Sequence, residues 1–160
     1  MTAQRQKLAI LFADISGSTA LYDKLGDEMA RRLVARCLSI MSSGIAVFRG
    51  TLVKTLGDEI MCTFPSAEAA LRAACEMQLA IKTDSQHSEH PLYIRIGFHF
   101  GDVLSEAGDV YGDAVNMAAR PGACGVILRT AITDPSNWRA TLHLDQWLKR
   151  RGGLAGIEKV

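Results

Sequence analysis

The sequence has no excess of charge of either sign. Its 160 residues carry 18 Lys and Arg against 17 Asp and Glu, a formal net charge of +1. A broad nucleic-acid or anionic-membrane footprint needs a basic excess, so those partner classes are excluded. Any polyanionic ligand must then be held locally, by a few cations or by metal. Cysteine is scarce: Cys37, Cys62, Cys75 and Cys124 lie in apolar contexts with no CxxC pair. They read as buried free thiols of a reducing compartment rather than as a metal or disulfide framework. Long apolar runs are missing too. None approaches the ~18 residues of a membrane span, and the opening MTAQRQK lacks the apolar stretch of a signal peptide. We therefore expect a cytoplasmic, soluble chain without membrane contact, although a longer parent protein with an anchor or sensor domain stays compatible. No repeat or low-complexity tract is visible. What is present, 48% hydrophobic and 22% charged residues, is ordinary for a globular protein. The length suits a single domain over 1–160 with one core.

Leu8 to Ala13 form a continuous apolar run ending at Asp14, the pattern of a central strand buried on both faces. DISGST follows and suits a turn into a helix N-terminus. From Asp27 onward Leu33, Cys37, Ile40, Met41, Ile45 and Phe48 recur at three- and four-residue spacing and predict one amphipathic helix, with Arg31, Arg32 and Arg36 on its solvated side. VKTLGDEIMCTF, residues 53 to 64, reads as two strands joined by a tight turn at Gly57 and Asp58. Pro65-Ser66 opens a second helix with Ala67, Ala70, Leu71, Ala74, Met77 and Ile81 on one face, and TDSQHSEHP reads as a polar connector. In LYIRIGFHFGDV strict alternation puts Leu92, Ile94, Ile96, Phe98 and Phe100 on one face of a strand. His99 falls on the other face, and no chemistry is assigned to it. GDVYGDAVNMAAR passes from a turn into a short helix. Helices interleaved with a mostly antiparallel sheet give an α+β fold, a ferredoxin-like sandwich. Val126 to Leu128 and Ala140 to Leu144 are candidate edge strands.

The candidate site begins with acids at strand ends. Asp14 ends a buried strand and Asp58 sits in a hairpin turn. If the two strands are neighbours, the carboxylates can share hard divalent cations such as Mg²⁺ or Mn²⁺. On spacing alone the commoner reading is structural, because Asp is frequent in turns and caps.

FADISGST, LVKTLGDEIMCTF and GDVYGDAVNMAAR, in that order, resemble the signature blocks of class III nucleotidyl cyclase catalytic domains, the adenylate and guanylate cyclases. The resemblance spans most of residues 7 to 120. It implies a ferredoxin-like domain that pairs head to tail with a second copy, with active sites in the shared clefts. Asp14 and Asp58 match the two metal-binding aspartates, with the Ile15 carbonyl as a further ligand. Lys54 and Asp109 match the pair that reads adenine. A lysine donates to ring N1 and a carboxylate accepts from the 6-amino group, whereas guanine would meet them donor to donor and acceptor to acceptor. The implied substrate is ATP. Asn116 and Arg120 match an N-x-x-x-R element that orients the ribose and neutralises charge at the reacting phosphorus. The amides of Gly17, Ser18 and Thr19, at a helix start, are expected to hold phosphate. No direct ligand role is expected for Glu59.

Pro121-Gly122 departs from the family pattern by stopping the helix right after Arg120. The remaining chain is short for the family, from true shortening or from missing loop residues. Lys149 is the best match to a late, triphosphate-contacting lysine, with Arg150 and Arg151 as rivals. The leading expectation is an adenylate cyclase forming 3′,5′-cyclic AMP with two divalent cations at a homodimer interface. The alternatives are a non-catalytic dimerisation or nucleotide-sensing domain, a guanylate cyclase, and a diguanylate cyclase, to whose GGDEF-like turn LGDE is a partial match.

Overall fold

The computed structural model describes residues 3–119. Along the chain run β1 (Gln4–Ile15), α1 (Ser18–Leu25), α2 (Asp27–Ser43), a short 3₁₀ turn (Ala46–Phe48), β2 (Thr51–Leu56), β3 (Glu59–Phe64), α3 (Ala67–Gln86), β4 (Ile94–Glu106), β5 (Asp109–Tyr111) and α4 (Asp113–Ala119). The strands form one antiparallel sheet in the order β2-β3-β1-β4-β5. Up to β4 the path is strand, helices, two strands, helix, strand, with β1 between β3 and β4. That is the expected ferredoxin-like α+β sandwich. No described helix is long and apolar enough to cross a membrane.

Side chains alternate across the sheet, so β1 feeds both faces. Ala9, Leu11, Ala13 and Ile15 meet α2 and α3 in the larger core, with Phe64 and Phe98 among its fully buried members. Each such buried large apolar side chain contributes about 1.5–3 kcal/mol. Ile10, on the other face, packs with Met61, Val103, Val110, Ala114 and Ala118 in a smaller cluster. Val110 of β5 and Ala114 of α4 belong to it, so the end of the β4–β5 hairpin and α4 lie over this second face.

Several expectations need correction. The helix foreseen over Asp27 to Phe48 ends at Ser43, and a separate 3₁₀ turn carries Ala46–Phe48. Gly50 explains the tight path there: a Cβ at Gly50 would run into the Phe64 ring and the Ile45 side chain. The buried stripe of α2 is Ala30, Val34, Cys37 and Met41, so Leu33 stands at its margin. The polar connector is shorter than expected, because α3 continues through Thr83 to Gln86. Asp84 accepts from Arg36 and Ser85 Oγ donates to the Leu92 carbonyl, which tie this last turn to the fold. Phe100 keeps its predicted face but is 38% exposed, since it runs past the helices that cover Ile94, Ile96 and Phe98. The candidate edge strands beyond Pro121 lie outside the described residues.

Candidate active site

The two acids of the sequence reading come together. Asp14 is the penultimate residue of β1, and Asp58 occupies the two-residue turn between β2 and β3. The Ile15 N–H donates to the Asp58 carbonyl at 3.3 Å, which ties the turn to the end of β1. Gly57 makes the turn possible with φ of 62°, a left-handed conformation that costs glycine little. Strand register then sets Glu59 directly opposite Asp14 on β3 and Arg95 directly opposite it on β4. The Arg95 guanidinium donates to both Asp14 oxygens, from Nε at 3.2 Å and from Nη2 at 2.5 Å. The acids outnumber this cation, and Glu59 registers the imbalance. Burial pushes its carboxyl above the usual range, the charges of Asp14 and Asp58 add to that, and Arg95 partly opposes it. Contact with Asp14 holds the Arg95 guanidinium more firmly protonated.

Beside this acidic corner opens a cleft of about 410 Å³ lined by Ser18, Thr19, Tyr22, Asp23, Val34, Gly57 and Asp58. It joins the start of α1 to the hairpin turn. Gly17 is the residue before the helix, with φ of 73°; no side chain caps this end and no acid occupies its first turn. The first amides of a helix have no intrahelical acceptor, so an uncapped N-terminus favours an anion. Ser18 and Thr19, two of the three residues expected to hold phosphate, line this cleft together with Asp58, and Gly17 precedes them at the helix start.

Lys54 and Asp109 form a second group. β2 and β5 lie at opposite ends of the strand order, yet Lys54 Nζ donates to both Asp109 oxygens, at 2.7 and 2.9 Å. The sheet has to curl for this to happen, and β2 and β5 come into contact although they are not paired neighbours. The lysine, helped by the Val110 N–H, holds the Asp109 carboxyl below the usual carboxylate range. A donor and an acceptor thus stand side by side, each about a third exposed.

Asn116 lies on α4 and is exposed, while Ala114 and Ala118 hold the helix to the sheet. Its side chain is directed away from its own sheet. Arg120 and Lys149 lie outside the described residues. Arg95 was missed in the sequence: only the apolar alternation of its strand was used, and its relation to Asp14 needs the strand register.

Two carboxylates and a carbonyl would make a sparse metal site. Among the described residues no group of three or more His, Cys, Asp or Glu is arranged to hold an ion alone. That donor set suits Mg²⁺, which is typically held by one or two carboxylates and completed by water and substrate phosphates. The surplus of acid at the corner also fits a cation.

Residues 1–148 match the family described as Adenylate and Guanylate cyclase catalytic domain. An adenylate cyclase of Streptomyces coelicolor is 35% identical over 115 residues, 72% of this chain and 29% of that protein. The crystal structure of an adenylate/guanylate cyclase/hydrolase from Silicibacter pomeroyi is similar with a TM-score of 0.65 and 36% identity, over 74% of this chain and 70% of that one. A shorter stretch of 62 residues is 64% identical to the carbamoyl phosphate synthase small chain of Bradyrhizobium diazoefficiens, covering 38% of this chain and 15% of that protein. The chain thus spans less than a third of either of these curated relatives. With the family match over residues 1–148 and the likeness in fold, the chain belongs to the adenylate and guanylate cyclase catalytic domain family.

Proposed function

We propose that this chain is an adenylate cyclase that converts ATP to 3′,5′-cyclic AMP and pyrophosphate at the interface of a homodimer. The single observation that carries the choice of ATP is the Lys54–Asp109 pair. Its donor and acceptor complement adenine N1 and the 6-amino group; guanine would leave both unsatisfied. The name of the Streptomyces relative supports the same substrate.

Asp14, Asp58 and the Ile15 carbonyl would hold two divalent cations, Mg²⁺ or Mn²⁺. Such cations, when bound, acidify the ribose 3′-hydroxyl and steady the triphosphate. The 3′-oxygen attacks the α-phosphorus, the bond to the β-phosphate bridging oxygen breaks, and pyrophosphate leaves. The hydroxyl proton passes to water or substrate, since no side chain is assigned as base. Gly17, Ser18 and Thr19 bind phosphate through amides at the start of α1. Asn116 orients the ribose, and Arg120 offsets charge on the phosphorus in the transition state. Lys149, one residue past the stretch that matches the family, is the candidate for the triphosphate. Asn116 is exposed and directed away from its own sheet, which supports service to the partner's cleft. The site would act in the cytoplasm.

One observation favours a second reading, a cyclase-like domain without turnover. Pro121-Gly122 interrupts the family pattern directly after Arg120. Incubation with ATP or GTP and Mn²⁺, followed by separation of cyclic products, decides between the readings. Cyclic AMP from ATP, with little product from GTP, is expected. Equal use of both bases would refute the assignment of the pair, and no product from either would favour the second reading.

A further inference from the structure

Arg95 has no part in the mechanism above, yet it grips one of the proposed metal ligands. Glu59, Asp14 and Arg95 form one row across β3, β1 and β4, with their side chains on the same face. The guanidinium takes both oxygens of Asp14 in a two-pronged contact, while its side chain remains 56% exposed. A divalent cation on that carboxylate would face the guanidinium at close range, where like charges repel strongly. The exposed arginine can swing into water at little cost in buried contacts.

We propose that Arg95 is a positioning residue acting as an internal counter-ion: it occupies Asp14 in the metal-free protein and is displaced when a divalent cation binds. The inference rests on the reading of Asp14 as a metal ligand. Arg95 then offsets repulsion among Asp14, Asp58 and Glu59 before loading, and it lowers the apparent affinity for the cation.

Mn²⁺ binding to the full chain without nucleotide, followed by water-proton relaxation, tests this. Arg95→Gln removes the competitor and is expected to tighten Mn²⁺ binding about two- to fivefold, the upper part of the range of an exposed ion pair. Arg95→Lys keeps the charge but loses the fork, so a smaller, roughly twofold tightening is expected; it carries the test if the glutamine variant does not fold. Asp14→Asn should weaken binding in either background. A purely structural arginine would give unchanged or weaker binding on substitution, and that result overturns the inference while leaving Asp14 a ligand. If Asp14→Asn has no effect on Mn²⁺, the metal reading itself fails and the inference falls with it.

Discussion

Glu59→Gln tests the electrostatics of the acidic corner without touching a proposed ligand. Glu59 stands directly opposite Asp14 in the β1–β3 pairing and follows Asp58 in the chain. Like charges directly opposite on antiparallel strands cost roughly 0.2–1 kcal/mol. Neutralising Glu59 should recover that cost, and for a chain of this length it corresponds to a Tm higher by about 0.4–4 °C. The sign depends on pH. The folded-state pKa of Glu59 is raised, by burial first and by Asp14 and Asp58 next. The folded protein therefore holds that proton more tightly than the unfolded chain does. The corresponding stability is fully present below the unfolded value, about 4.3, and is lost as pH rises through the raised folded value. The gap between Glu59→Gln and the parent should be small near pH 4, open as pH climbs through the folded value, and level off above it. Thermal melts of both proteins without metal across that range are the assay. Added Mg²⁺ should narrow the gap, because a bound cation offsets the same repulsion. A glutamine variant less stable at neutral pH, or a gap independent of pH, would refute this account of the corner.

Three further outcomes are expected. Asp58→Asn should abolish Mg²⁺-dependent turnover while circular dichroism and gel filtration match the parent; substantial remaining activity would remove Asp58 from the metal site. Lys54→Glu with Asp109→Cys should lower ATP use and admit GTP, read as the ratio of the two kcat/KM values, because the new side chains pair with guanine instead. Burial pushes the Cys37 and Cys62 thiols up to about 12. Neither should react with a disulfide reagent at pH 8 until denaturant is added, since only the thiolate attacks; rapid native labelling at either position, located by mass spectrometry, would contradict their burial.

Much of the fold is legible from apolar period alone. The run Leu8 to Ala13, the alternation through Ile94, Ile96 and Phe98, and the turn residues Gly57-Asp58 each mark a correct element. The ends are not legible, because polar residues are held there by tertiary partners. Gln4 to Lys7 belong to β1 by pairing with β4, and Thr83 to Gln86 belong to α3 although their composition suits a loop. The site divides in the same way. Motif blocks mark Asp14, Asp58, Lys54, Asp109 and Asn116 individually, but not how they meet. Lys54 reaches Asp109 only because the sheet curls, and Arg95 reaches Asp14 only through register. Both contacts are long-range in sequence, and local patterns carry no information about them.

The central claim is that one chain serves two clefts, with Asp14 and Asp58 acting in one while Lys54, Asp109, Asn116 and Arg120 act in the other. Mixing lesions tests it most directly. Asp58→Asn and Arg120→Ala should each be nearly inactive alone, since each homodimer carries its lesion in both sites. In a heterodimer one site collects both lesions and the other none. Random pairing gives about half heterodimers, each with one intact site, so about a quarter of wild-type cyclic AMP formation should return. Two differently tagged mutants, co-purified and assayed as the mixed species, give the measurement. Recovery near a half of wild-type in the isolated heterodimer, which is the quarter expected of the unseparated mixture, is the predicted result, and no recovery in a verified heterodimer would contradict the shared cleft.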